Sequence, residues 1–380
     1  MEEKRIIAVD IGTSSIKSCL FTVDLKYVWS TSKPVNLEYR LEDHSMLCEM
    51  DPDILWNDFC EVVELAVSEA GGSSNVLSCG ICTQRNTFIS WNSDTLEPCH
   101  PLIVWKDCRS KDLCAQWNES WTIKLLNFAG RTGHFLTKLE RFKAARMFQF
   151  LNSMVSPRFT AVLEKDPYMK ELLKKEKLTI GCIESWLLLK LTKGKTVAAE
   201  ASCASATGMF DPYLNDWGYT ILRLIRFPSQ VLPKVIDSAT PNKALAVADP
   251  RDQQSAVFGS GCRHRGSVKI SLGTGTFIDL ITGSKPHSSI RREIATTPAT
   301  LLQWALKIGL CRNVQETESL AESADPAPGL FFVPAFGGIQ TPINDDNACC
   351  AFIGLRPDTT KAQMVKVILE AIAFRVIRYC

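Results

Sequence analysis

The sequence predicts an α/β protein of two lobes with a cleft between them, and three observations carry that reading. One small pattern occurs twice, far apart: Ala8-Val9-Asp10-Ile11-Gly12-Thr13-Ser14-Ser15 near the start and Ile270-Ser271-Leu272-Gly273-Thr274-Gly275-Thr276-Phe277 in the last third. In each copy a β-rich run enters a Gly-Thr turn where glycine allows positive φ, so backbone N–H groups and hydroxyls can converge on one spot. Such a turn suits a phosphate, and two of them facing each other would grip a polyphosphate from both sides. Asp10, beside the first turn, could hold Mg²⁺ through water, since that ion prefers oxygen ligands and keeps part of its hydration shell. The second observation is the mixture of short apolar runs with segments at helical spacing. The third is that polar and charged residues stand where the apolar runs stop, and strand ends are where α/β proteins bind ligands.

Residues 5–30 read as a strand, the Gly-Thr turn, a second strand through Ser18-Cys19-Leu20-Phe21-Thr22-Val23 and a polar turn at Asp24-Leu25-Lys26 leading to a third, which makes an antiparallel meander. Asp51-Pro52-Asp53 offers a helix start, and Ile54, Leu55, Phe59, Val62, Val63, Leu65 and Ala66 recur at helical spacing until Gly71-Gly72 ends the run. Val76-Leu77-Ser78-Cys79-Gly80-Ile81-Cys82 reads as a buried strand. The polar Thr83-Gln84-Arg85-Asn86 interrupts it before Phe88-Ile89-Ser90-Trp91 resumes, and Asn92-Ser93-Asp94 supplies a turn. Leu102-Ile103-Val104-Trp105 is another apolar run, ending in Lys106-Asp107-Cys108-Arg109.

From about residue 112 to 190 the chain is expected to be mainly helical, most clearly from Ile183 to Leu191, where Lys193-Gly194 closes the segment. The charges between Lys165 and Lys177 read as a solvated helix face. Further helices are expected around Leu301-Leu302-Gln303-Trp304-Ala305 and from Thr360 to Arg375.

At 380 residues, with 46% apolar and 22% charged side chains, the chain is long enough for two domains and ordinary for a soluble globular protein. Its formal net charge of +2 gives no general attraction to nucleic acid or anionic membrane, so the reading is a local site for small molecules. The first residues lead at once into a strand with no signal-like apolar core, and no run of eighteen apolar residues follows, so a cytoplasmic protein without a membrane span is expected. Fifteen cysteines, scattered and odd in number, read as reduced and mostly buried thiols. The lone Cys79-x-x-Cys82 lacks the second pair or the histidines that a zinc site wants.

Six quoted segments, taken in order, resemble the FGGY carbohydrate kinases, and within them the glycerol kinases, especially the glycerol kinase 5-like branch. These are Asp10-Ile11-Gly12-Thr13-Ser14-Ser15, Thr83-Gln84-Arg85, Trp105-Lys106-Asp107-Cys108-Arg109, Gly181-Cys182-Ile183-Glu184-Ser185-Trp186-Leu187, Asp252-Gln253-Gln254-Ser255-Ala256-Val257-Phe258-Gly259 and Gly273-Thr274-Gly275-Thr276-Phe277. Phe352-Ile353-Gly354-Leu355, leading into Leu369-Glu370-Ala371-Ile372-Ala373-Phe374, extends the resemblance towards the end. It implies two actin-like, ribonuclease H-like domains, residues 1–258 and an incomplete second domain at 259–380, with ATP and a polyol meeting in the cleft. The implied activity is MgATP-dependent phosphorylation of glycerol to glycerol 3-phosphate.

By matched position, the resemblance implies phosphate contacts from Gly12, Thr13 and Ser14 on one side and Gly273 and Thr274 on the other, with Asp10 on Mg²⁺. It implies polyol contacts from Arg85, Asn86, Trp105, Asp252, Gln253 and Phe277, with Asp252 as catalytic base. The residue types suit the chemistry: phosphoryl transfer needs positioning, a proton acceptor and charge neutralisation, while a guanidinium and an aromatic wall suit a short polyol.

Where family members carry Gln-Arg-Glu-Thr this chain reads Gln84-Arg85-Asn86-Thr87, so an amide stands for a carboxylate. Asp249 is the alternative base. The family's Asp-Gly-Gly segment and adenine-holding helices are expected after Phe374, where six residues remain, so an incomplete nucleotide pocket and weakened ATP affinity are expected. A ketopentose or other sugar kinase and a non-catalytic kinase-like binding protein are the alternative readings, and a homo-oligomer is left open. A chaperone-type ATPase on the same scaffold is disfavoured because Arg85, Trp105 and the Asp252-Gln253-Gln254 run serve a small hydroxylated ligand.

Overall fold

The computed structural model describes residues 4–43, 45–236, 241–242, 245–246, 256–257, 259–262, 264–272, 276–283, 298–336, 339 and 348–377. The chain divides into two compact units, Met1–Gly259 with Pro286–Ser288, and Ser260–Lys285 with Ser289–Cys380.

The first unit opens with the expected meander. Strands β1 (Arg5–Ile11), β2 (Ser15–Thr22) and β3 (Tyr27–Pro34) pair antiparallel in sequence order. β4 (Glu38–Glu42) and β5 (Ser45–Met50) form a further hairpin. Helix α1 (Pro52–Glu69) starts as the sequence dictates: Asp51 Oδ1 accepts from the amides of Asp53 at 2.8 Å and Ile54 at 2.9 Å, and Pro52 needs no partner in the first turn. Its apolar face, Leu55, Phe59, Val62 and Ala66, is buried with Ile7, Val9, Ile16 and Leu20 of the meander in one core.

Strand β6 (Val76–Thr83) returns parallel to β1, giving a four-stranded sheet in the order β3-β2-β1-β6. β6 is not the buried strand that its apolar run suggests. It ends the sheet order among the described residues, and its register with β1 slips between Val76 and Ser78, leaving Leu77 out of the pairing and 59% exposed.

Nor does β7 (Phe88–Asn92) resume β6. Residues 84–87 carry the chain into a second sheet, ordered β4-β5-β8-β7-β9, with β8 at Leu102–Ile103 and β9 at Leu178–Cys182. β7 is buried at all five positions, and its alternate residues serve different cores. Ile89 and Trp91 join the core of the first sheet, while Phe88, with Ile103, Leu178 and Ile180, joins a second core.

The stretch expected to be helical does hold α2 (Lys111–Glu119), α3 (Trp121–Thr137), α4 (Glu140–Ala145), α5 (Val155–Lys165) and α6 (Pro167–Lys174) before α7 (Ile183–Leu191). β9 interrupts it. Five residues pair with β7 there, because Leu178 and Ile180 complete the second core more effectively in a sheet than a turn of helix could. Gly194, at φ +80°, closes the end of α7 as expected.

In the second unit, Val268–Leu272 and Thr276–Leu280 pair antiparallel with Leu272 opposite Thr276, so the repeated pattern forms two strands again. Phe331–Val333 pairs with Ala351–Ile353, and the helix Lys361–Ile377 packs Val365 and Ile368 into a core with Phe332 and with Leu301 of the helix Pro298–Lys307. Trp304 stacks on Phe332 with ring centroids 5.9 Å apart.

Among the described residues no helix is long and apolar enough to cross a membrane, and every described cysteine is a free thiol. Burial pushes the thiols of Cys48 and Cys79 up to about 11.

Candidate active site

Because β1 and β6 run parallel, with Ile11 opposite Thr83, both strands end at one edge of the first sheet. Gly12, Thr13 and Ser14 form the turn beyond β1, closed by the Gly12 amide donating to the Ser15 carbonyl at 2.9 Å. Gly12 does not use positive φ, contrary to expectation. A Cβ there would stand 3.3 Å from the Ser15 carbonyl oxygen, a tight contact.

The turn is tied to the chain beyond β6 and beyond β8. The Gln84 amide donates to the Ile11 carbonyl at 2.8 Å, and its side-chain Nε2 donates to the Gly12 carbonyl at 3.2 Å. Thr13 Oγ1 donates to Gln84 Oε1 at 2.9 Å and accepts from Trp105 Nε1 at 3.0 Å. Trp105 is fixed at its backbone too, its amide donating to Thr87 Oγ1 at 3.3 Å. Thr13, Gln84 and Thr87 are buried, whereas Trp105 keeps part of its surface open. The Thr13 hydroxyl is therefore engaged within the protein, and Asp10, Ser14 and Ser15 are exposed around the turn.

Arg85 and Asn86 are half-buried between these anchors. Asn86 has φ +61°, a conformation that asparagine tolerates better than most residues, and its Oδ1 is buried without a hydrogen-bond partner. The backbone that carries it is held by Arg158, a fully buried residue of α5. The guanidinium donates to the carbonyls of Asn86, Val104 (2.5 Å), Ser153 (2.9 Å) and Met154 (3.1 Å), and lies 5.4 Å from the Phe88 ring centroid. Burial pushes Arg158 down to about 10, which leaves it cationic at neutral pH. One side chain thus fixes the chain before Trp105, the chain at Asn86 and the loop leading into α5.

The charged run after Trp105 divides into different roles. Asp107 is fully buried, accepting from the Cys48 amide at 2.7 Å and from Arg109 Nε at 2.7 Å, while Arg109 also bonds Glu49 at 2.6 Å. These are scaffold contacts between β5 and the end of β8. Lys106 stays at the site with its Nζ 5.6 Å from the Trp105 ring centroid, and burial lowers its pKa.

Gln84, Thr87 and Arg158 are the site-forming residues that sequence reasoning missed. Gln84 stood inside a quoted segment with no role assigned; Arg158 gave no local signal, because its partners lie up to 72 residues away.

Of the other expected site residues, Phe277 lies on the strand Thr276–Leu280. Asp252, Gln253, Gly273 and Thr274, like the alternative base Asp249, lie outside the described residues.

Glu184 of the quoted Gly181–Leu187 segment lies elsewhere in the first unit. It is buried in the first turn of α7; its Oε1 accepts from Ser185 Oγ at 3.3 Å and its Oε2 has no partner. A cavity of about 20 Å³ beside it, lined among others by Gly181, Ala204 and Thr207, has room for one water. Burial, with Glu200 nearby, pushes the carboxyl up to about 7. A carboxyl raised on folding contributes stability that is complete below its unfolded value near 4.5 and is lost as pH rises through about 7, a loss of about 3 kcal/mol for a shift of that size.

Glu184→Gln is expected to remove most of this loss, so its melting temperature should gain on the wild type between pH 5 and pH 8. His100, pushed down to about 4 by burial, has the opposite slope: its contribution is present above about 6.5 and lost as pH falls through about 4. Comparing the two chains at each pH cancels it, and an unchanged difference would contradict the assignment.

Residues 5–248 match the N-terminal domain of the FGGY family of carbohydrate kinases, and residues 268–379 match its C-terminal domain. The chain is similar to glycerol kinase 5 of Danio rerio, 38% identical over 98% of this chain and 75% of that one. It is 35% identical to glycerol kinase 5 of Homo sapiens over 97% of this chain and 75% of the relative. Among solved structures, glycerol kinase from Plasmodium falciparum with ADP superposes with a TM-score of 0.76 at 22% identity, covering 98% of this chain and 77% of that one. Gluconate kinase from Lactobacillus acidophilus superposes with a TM-score of 0.75 at 18% identity over the same shares of the two chains.

Proposed function

The chain belongs to the FGGY family of carbohydrate kinases, with that family's two actin-like, ribonuclease H-like domains, and from this premise we propose that it transfers the γ-phosphoryl group of ATP to glycerol, giving glycerol 3-phosphate. The observation that carries the reading is the hydrogen-bonded chain Gln84–Thr13–Trp105, which fastens a phosphate-type turn to an aromatic wall. A site that must bring an alcohol up to a triphosphate needs these two parts held at fixed separation.

In this reading Trp105, with Phe277 from the second domain, contacts the C–H faces of glycerol, and Arg85 donates to its hydroxyl oxygens. Asn86 Oδ1, a buried acceptor without a protein partner, is suited to a hydroxyl donor, because such an atom costs free energy until one arrives. Gln253 completes the polyol contacts. Asp252 accepts the proton of the attacking hydroxyl as that oxygen bonds to the γ-phosphorus and the bond to the β-phosphate oxygen breaks, releasing ADP.

The phosphates lie against Gly12, Thr13 and Ser14 on one side and Gly273 and Thr274 on the other, Thr13 acting through its backbone. Asp10, an exposed carboxylate at the strand end, fits a Mg²⁺ ion that retains its waters, and the ion when bound neutralises charge at the β- and γ-phosphates. The domains are taken as residues 1–258 and 259–380, and the location as cytoplasmic.

The test is to incubate the purified chain with Mg²⁺, γ-labelled ATP and a panel of polyols and sugars. Label in glycerol 3-phosphate is the expected result. Label in a ketopentose phosphate instead would move the substrate assignment, consistent with the amide at Asn86 in place of a carboxylate; no labelled product from folded protein would make the chain a non-catalytic binding protein.

A further inference from the structure

Helix α3 turns its apolar side outward. Trp121, Leu125, Phe128, Phe135 and Leu136 are each more than 60% exposed, Trp121 at 87%. At about 100° per residue they fall within one arc of the helix, the reverse of the arrangement by which a domain helix buries its apolar stripe. The opposite face is already filled. Ile123 and Gly130 are buried there, and the turn at Lys138, with φ +57°, folds α4 back against them. The approach is close: a Cβ on Gly130 would stand 2.3 Å from the Arg146 amide nitrogen, and one on Gly133 would stand 2.6 Å from the Phe142 ring. The hairpin is therefore braced from within and presents its aromatic ridge to the outside.

Along one edge of that arc run Lys124, Arg131 and Lys138, all exposed. Lys124 Nζ lies 6.0 Å from the Trp121 ring centroid and Lys138 Nζ 5.0 Å from that of Phe135. Residues 121–139 contain no Asp or Glu, so this basic row faces no acid on its own helix. A chain with a net charge of only +2 thus concentrates cations beside an exposed aromatic ridge.

We propose that α3 is a docking surface for an anionic lipid membrane, with Trp121, Phe128 and Phe135 entering the boundary between headgroups and acyl chains and Lys124, Arg131 and Lys138 meeting the lipid headgroups. The charge of the ridge favours this occupant over a second copy of the chain. Self-pairing along the ridge would bring together basic rows with no acidic side chain on the helix itself to answer them. A bilayer needs no matching groove.

The experiment floats the full chain with vesicles of phosphatidylcholine alone and of phosphatidylcholine with phosphatidylserine, at low and high salt. Binding is expected to the anionic vesicles, much less to the neutral ones, and to weaken as salt rises. Replacing all three cations by Gln should weaken it about a hundredfold, at about fivefold each, and replacing Trp121, Phe128 and Phe135 by Ser should abolish it. Both variants are expected to keep the wild-type circular dichroism and melting temperature, because the six side chains are exposed. Absent binding, equal binding to both vesicle types, or binding untouched by either variant would overturn the proposal. So would a wild-type dimer that the Ser variant converts to monomer, which would assign the ridge to a second copy.

Discussion

Replacing Asp252 by Asn is expected to lower turnover by about two to four orders of magnitude while leaving glycerol affinity nearly unchanged. The amide keeps the shape of the carboxylate and its capacity to hydrogen-bond a hydroxyl, so ground-state binding survives. What is lost is a group able to take the proton as the oxygen attacks phosphorus. The comparison that makes the prediction specific is Asp249→Asn, three residues earlier, which is expected to retain most of its turnover. Steady-state kinetics on both variants with glycerol and MgATP, beside glycerol binding by calorimetry, read the two effects separately. If Asp249→Asn is the inactive one, the base is Asp249; if neither loses turnover, proton acceptance lies outside this segment.

Replacing Arg158 by Met is expected to cost about 4 kcal/mol of stability or more, because carbonyl groups of Asn86, Val104 and Ser153 would be left in a buried environment without their donor. Arg158→Lys supplies an ammonium of similar charge but lacks the planar fork that reaches three chain segments at once. It should fold with a smaller loss and still weaken glycerol binding about tenfold, since the backbone at Asn86 and the residues leading to Trp105 would no longer be held in register. Denaturant titration measures the first effect. The second should be seen as a raised KM for glycerol with a smaller change in kcat, a pattern that a loss of stability alone does not produce at a temperature where both chains are folded. An unchanged KM in a folded Arg158→Lys chain would show that Arg158 supports the fold without positioning the site.

Legibility in the sequence followed how local each determinant is. The meander β1–β3, the capped start of α1 and the glycine-closed end of α7 were legible because strand alternation, Asp51-Pro52 and Lys193-Gly194 act within a few residues of themselves. β4 was not, since the alternation of Tyr39 and Leu41 with charged neighbours runs over five residues only and all five are exposed, so pairing with β5 and not burial makes it a strand. β9 was hidden by its brevity and by the charged helix before it, and only its pairing with β7 makes it a strand. The sequence likewise offered no sign that residues 84–87 carry the chain from one sheet to another, because a polar interruption inside a strand and a crossing between sheets look alike.

At the site, family motifs pointed to Thr13, Arg85, Asn86 and Trp105, and the structure brings them to one edge of the first unit through Gln84 and Arg158. Those two buried brackets are defined by partners distant in the chain. Gly12 shows a further limit: the glycine was legible, but it does not take the left-handed φ expected of it and instead sits close to the Ser15 carbonyl.

The most direct measurement is diffraction from the chain crystallised with glycerol and MgADP. The account predicts glycerol against the Trp105 ring, within hydrogen-bond distance of Arg85 and Asn86 Oδ1, and the ADP phosphates at the Gly12-Thr13-Ser14 turn. Glycerol bound away from Trp105, or a diphosphate that leaves that turn untouched, would contradict it.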